Sequence, residues 1–195
     1  MKKYKYPLIP ILGILLILLS VALIIVFQVR TNIGIQHSRK IVSIMEQILP
    51  ERTAGIPGLY PNSGMPVLQI ANEDYVALID IPSFGISLPV SDRWDSRNLS
   101  RSPARFFGSV YDSPLIIGGI DHSQQFNFCN KIEHGALVTV TDMTGAQFSY
   151  VVARVDRAKH AESQWLTDTS FDLTLFYHNI YTMEYIAVRC IFAYR

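Results

Sequence analysis

Val76-Ala77-Leu78-Ile79-Asp80-Ile81-Pro82-Ser83-Phe84-Gly85-Ile86-Ser87-Leu88-Pro89-Val90 is the stretch whose reading decides the fold class. Its first six residues are aliphatic around a single aspartate, and Pro82 ends them because proline has no N–H to give a sheet ladder. Ile86, Leu88 and Val90 then alternate with Ser87 and Pro89, the period-two spacing of a strand with one buried face. The pattern recurs downstream. Leu115-Ile116-Ile117 is a short buried run, and Ala136 to Thr141 and Phe148 to Val155 flank Asp142-Met143-Thr144-Gly145, a hairpin signature. Leu173 to Phe176 and Tyr185 to Phe192 read as two further strands. About seven to eight short strands with few long helices predict a mainly β domain. Closure into a barrel is expected, since it removes exposed strand edges.

Upstream of this domain the pattern changes. No residue from Pro7 to Val29 is charged, and Leu8 to Phe27 is almost wholly aliphatic. About twenty such residues, at roughly 1.5 Å each, span a hydrocarbon core of about 30 Å, so an N-terminal transmembrane helix is expected. Lys2, Lys3 and Lys5 crowd its leading flank, which places the N-terminus in the cytoplasm and the rest outside in a single pass. Ser20-Val21-Ala22 resembles a signal-peptide cleavage site, but Leu23 to Phe27 carry the apolar run past it and favour an uncleaved anchor. Ile33, Ile41, Ile44, Met45, Ile48 and Leu49 lie at near-helical spacing, predicting a juxtamembrane helix that stops before Pro50. Glu51 to Met65 is rich in glycine and proline and reads as a stalk or wrapping arm. The expected organisation is a cytoplasmic tail and anchor over 1–30, a helix and linker over 31–74, and a barrel domain over 75–195.

Composition excludes some functions. A formal net charge of +1, with 17 Lys and Arg interspersed among 16 Asp and Glu, offers no basic face for nucleic acid. Cys129 and Cys190 are too few for a disulfide framework and lack C-x-x-C spacing, although a single bridge between them stays open. No cofactor is expected. His122 and His178 are two possible metal ligands without a visible third, so no metal is expected either. Asp121, Glu133 and Asp142 read as solvent-facing loop carboxylates.

Several segments, taken in order, resemble a sortase. They are Ile79 to Ile86 with Leu88-Pro89-Val90, then Ser102 to Ser109, then Ile116-Ile117-Gly118-Gly119 with Phe126. Val138 to Tyr150, Asp172 to Phe176 and Val188-Arg189-Cys190 complete the set. The likeness covers roughly Tyr75 to Arg195 and is nearest to class B of the family. It implies a β-barrel at the outer face of a Gram-positive cell membrane, where cysteine transpeptidases join surface proteins to the cell wall. In that chemistry a thiolate forms an acyl-enzyme, a histidine moves protons and an arginine steadies the oxyanion.

The same resemblance puts unexpected residues at all three positions. His178 stands where the cysteine belongs, directly after Thr174-Leu175-Phe176-Tyr177. Tyr185 falls at the arginine, or Glu184 if the loop slips by one, with Arg189 read as structural. Ile120 falls at the histidine, unless a two-residue loop insertion returns His122 to it. The reading is therefore a pseudoenzyme, a membrane-anchored surface protein whose partners are a sorting-signal peptide, a pilin-like protein or an active sortase. The alternative is an active transpeptidase with relocated residues, using Cys129 or Cys190 beside His122. That alternative requires an accessible thiol of low pKa.

Overall fold

The computed structural model describes residues 8–56, 64–112, 114–122, 125–160 and 162–193. The lysines at positions 2, 3 and 5 and the central linker residues 57–63 lie outside them. Helix α1 (Leu8–Ile48) is continuous over 41 residues. It ends just before Pro50, whose ring forces the preceding residue out of helical geometry. Ten strands follow: β1 (Thr53–Ala54), β2 (Leu68–Ile70), β3 (Glu73–Ile81), β4 (Ile86–Ser91), β5 (Ala104–Phe107), β6 (Leu115–Ile120), β7 (Leu137–Asp142), β8 (Ala146–Ala158), β9 (Leu173–Asn179) and β10 (Glu184–Phe192). Helix α2 (Ser96–Leu99) lies between β4 and β5, and α3 (Ser163–Leu166) between β8 and β9.

Eight of these strands close the barrel expected from the sequence. The neighbours run β3-β4-β5-β6-β9-β10-β8, and β7 closes the ring by pairing with both β8 and β3. The eight agree with the seven to eight expected; β1 and β2, outside the ring, and β5, within it, carry too few alternating residues to show as strands in the sequence. β1 lies in the stretch read as an irregular linker and pairs in parallel with Ala146 and Gln147 of β8. The arm is therefore held by the barrel it wraps. Asp142 is also corrected: it is buried, not solvent-facing. Its carboxylate accepts from the Tyr111 hydroxyl and from the backbone N–H groups of Thr144 and Ala146. That bonding fixes the β7–β8 turn, which Gly145 completes at φ +86°.

The main core fills the barrel, with Val76, Ile79, Ile117, Phe126, Phe148, Leu175 and Val188 among its members. A second cluster lies outside it. Ile41, Val42 and Met45 of α1 pack on Ile70 of β2 and Tyr75 and Leu78 of β3, and the helix also lies against β4, so it docks across the outside of β2–β4. Three residues on one helical face, each contributing about 1.5–3 kcal/mol when fully buried, make this a stable seat. At the other end of α1 the aliphatic side chains from Ile11 to Val26 are exposed. Among the described residues no helix is long and apolar enough to cross a membrane. The apolar run with described side chains, Pro10 to Val26, measures only about 26 Å at 1.5 Å per residue.

Candidate functional site

Sheet register decides what the site contains. β6 and β9 run in parallel with Gly118 beside Phe176 and Ile120 beside His178. β10 runs antiparallel to β9 with Ala187 beside Phe176 and Tyr185 beside His178. Directly paired residues share a face, so Ile120, His178 and Tyr185 form one row across three adjacent strands. The His178 and Tyr185 rings lie 4.6 Å apart between centroids. Alternation settles which face this is. Leu175, Tyr177, Ile186 and Val188 point into the barrel core, leaving Phe176, His178, Tyr185 and Ala187 on the outer face.

Aromatic side chains cover the rest of that face. Trp94, from the segment after β4, lies 5.6 Å from the Phe176 ring, and Phe106 of β5 packs edge-on against both, at 5.1 Å from Trp94 and 5.5 Å from Phe176. Gly118 makes this possible. A Cβ there would sit 2.3 Å from the Trp94 ring, closer than any side chain tolerates. Beyond His178 the face opens into a cavity of about 550 Å³ lined by Lys159, His160, His178, Thr182, Met183 and Tyr185. The strip and the cavity adjoin at His178, which pairs with Ile120 and follows Phe176 by two residues on β9, so this groove face is apolar at one end and polar at the other.

The remaining sequence candidates lie elsewhere. Cys129 and Cys190 are fully buried inside the barrel, away from the groove face, and both thiols are free. Burial, then the neighbouring Cys190 sulfur, pushes the Cys129 thiol well up, and burial alone raises that of Cys190. A nucleophile needs the opposite shift and an open approach. His122 follows β6 in a tight turn, donating its N–H to the Ile120 carbonyl at 2.9 Å, and it does not line the cavity. His122 and His178 belong to no group of three or more metal-ligating side chains among the described residues.

Arg189 is wholly buried on the same outer face. Its guanidinium donates to Asp156, to the Thr174 hydroxyl and to the backbone carbonyls of Trp165 and Leu166, and it stacks on the Trp165 ring. These bonds use the donors that an oxyanion would need. They tie α3 and the β8–β9 connection down over the sheet, which agrees with the structural role read from the sequence.

No protein-family model and no curated relative matches this sequence. Solved structures do. Sortase C-1 from Actinomyces oris superposes with a TM-score of 0.52 at 24% identity, over 61% of this chain and 73% of its own. The lid mutant of sortase A from Corynebacterium diphtheriae gives 0.55 at 19% identity, over 84% and 93%. The sortase D5 transpeptidase from Clostridium perfringens gives 0.52 at 17%, over 61% and 79%. The barrel is a sortase fold. The sortases named here are of classes A, C and D, so the likeness to class B finds no support among them. At these identities the sortase likeness extends to the fold alone.

Sequence reasoning missed Trp94, Phe106, Lys159 and His160 as groove residues. The signal that could have found the first two is the doublet Gly118-Gly119 inside a strand. Glycine there marks a place where another group approaches the backbone closely.

Proposed function

We propose that this chain is a membrane-anchored, extracellular member of the sortase family that has lost transpeptidase chemistry and binds a sorting-signal peptide in the retained groove. The observation that carries this reading is the row Ile120–His178–Tyr185, which the register assembles on the groove face. It holds neither a thiol nor a guanidinium, and both cysteines of the chain are sealed in the core. A histidine in place of the thiolate is a poor substitute, since an acyl-imidazole hydrolyses instead of waiting for an amine. A tyrosine in place of the arginine keeps one donor and loses the charge. The anchor in this reading is the uncharged sequence from Pro7 to Val29, with the barrel outside the cell. A pilin-like protein or an active sortase is the partner if the bound segment belongs to one of these.

The test compares the native chain with the triple variant Ile120→His, His178→Cys, Tyr185→Arg. Each is incubated with sorting-motif peptides and an amine acceptor, and products and covalent adducts are read by mass spectrometry. The native chain is expected to bind peptide and form neither product nor adduct, while the triple variant forms an acyl adduct at residue 178. An adduct on the native chain would overturn the proposal, and its position would identify the relocated nucleophile.

A further inference from the structure

The cavity beside the replaced positions has a chemistry of its own. Of its six lining residues, Lys159, His160 and His178 bring nitrogen donors, Tyr185 and Thr182 bring hydroxyls, and Met183 supplies an apolar wall. Among the described residues no carboxylate lines it. Asp121, just past β6, accepts from the Asn127 amide at 2.8 Å, and Glu184, which begins β10, alternates onto the face opposite Tyr185. Converging donors with no acceptor of negative charge complement an oxyanion. A scissile amide is neutral and does not call for such a set.

A second feature fixes what the anion is attached to. On the same face, next to His178 in register, Ile120 begins an apolar strip that Trp94 and Phe106 extend, and all three side chains are partly exposed. His178 follows Phe176 by two residues on β9, about 7 Å along the strand, so the polar and apolar parts of the groove adjoin. A ligand filling both carries an apolar segment ending in a negative charge. A free phosphate leaves the strip empty, and an internal peptide segment leaves the donors unanswered.

We infer that the groove recognises a peptide through its free C-terminal carboxylate, held by Lys159, His160, His178 and Tyr185, with the preceding apolar residues on the Trp94–Phe106–Ile120 strip. This deepens the peptide-binding reading above and rests on it. The ligand then resembles the product of a cleavage more than its substrate, which suits a site where the nucleophile is gone.

The probe is a pool of N-acetylated hexapeptides, randomised among Ala, Val, Leu, Pro and Thr, made both as free acids and as C-terminal carboxamides. Full-length chain in detergent micelles is equilibrated with each pool, and bound peptides are counted by mass spectrometry. The free acids are expected to bind at least ten-fold better than the carboxamides. The double substitution Lys159→Met, His160→Gln should erase that preference, and Lys159→Arg should keep it. Both side chains are exposed, so the variants fold as the parent does. Equal binding of acids and carboxamides overturns the carboxylate inference and leaves peptide binding standing. Binding of neither pool overturns both.

Discussion

Arg189 lies in the last strand, β10, and its guanidinium is engaged by Asp156, Thr174 and the carbonyls of Trp165 and Leu166. These partners in the fold hold it in the structural role read from the sequence. Burial lowers its pKa, against the raising effect of Asp156, its hydrogen-bonded partner. Removing such a group leaves two carbonyls and the Thr174 hydroxyl without their donor and Asp156 with Arg154 alone, so Arg189→Met is expected to cost about 3–5 kcal/mol by urea unfolding. A loss below about 1 kcal/mol would mean that water replaces these bonds freely. Gly118 gives a second prediction. Gly118→Ala in a Trp165→Phe background should push Trp94 off the sheet and shift its emission to the red, since the Cβ has no room. An unchanged spectrum would show that Trp94 does not lie flat there. At this scale the sequence was informative about His178 and Tyr185, which the family resemblance puts at two of the altered positions and the register sets side by side. It was silent about Trp94 and Lys159, because loop residues have no period that ties them to the strand they touch.

The docking of α1 across the outside of β2–β4 is decided by a few residues between elements. Below the apolar seat, Glu73 accepts from the Tyr75 hydroxyl at 2.7 Å and lies 2.9 Å from His37 Nε2. Its other oxygen pairs with Arg101, from the segment after α2. Burial alone would raise the Glu73 pKa; hydrogen bonds from Tyr75 and His37 and the charges of His37 and Arg101 outweigh it and hold the carboxyl below its ordinary 4.5. A depressed carboxylate stabilises the folded form fully above its unfolded pKa, and that contribution is lost as pH falls through the folded value. Hydrogen exchange of the α1 amides over 34–48 should therefore be steady from pH 8 to 5 and accelerate below about pH 4, beyond the intrinsic pH effect. Glu73→Gln should flatten that step. A step that survives the substitution would place the acid sensitivity in another pair. None of this was legible beforehand. The apolar spacing of Ile41, Ile44 and Met45 announced a helix with a buried face, but nothing in it named the outside of β2–β4 as the surface that would bury it.

For the whole molecule, closure and anchoring answer different demands. The barrel leaves β1 and β2 as the only strands outside its ring among the described residues, and they are too short to template further pairing. Closure was expected from short alternating strands, while the parallel β6–β9 pair that builds the groove joins segments more than fifty residues apart. No local pattern encodes such a pairing. The N-terminal half of α1 has no such partner. Ile11, Leu15, Leu19, Leu23 and Ile24 are all exposed, and a helix apolar all round is stable only where something other than water surrounds it. If that surrounding is a bilayer, the full chain stays with membranes through an alkaline carbonate wash, and external protease removes the barrel while sparing the helix. Lys at positions 15, 16 and 19 would each cost about 2.5–3.5 kcal/mol at the centre of a span, so Leu15→Lys, Leu16→Lys, Leu19→Lys together should send the chain into the soluble fraction. Release of the native chain by carbonate would instead assign this helix to a protein partner, and the groove would then work wherever that partner resides.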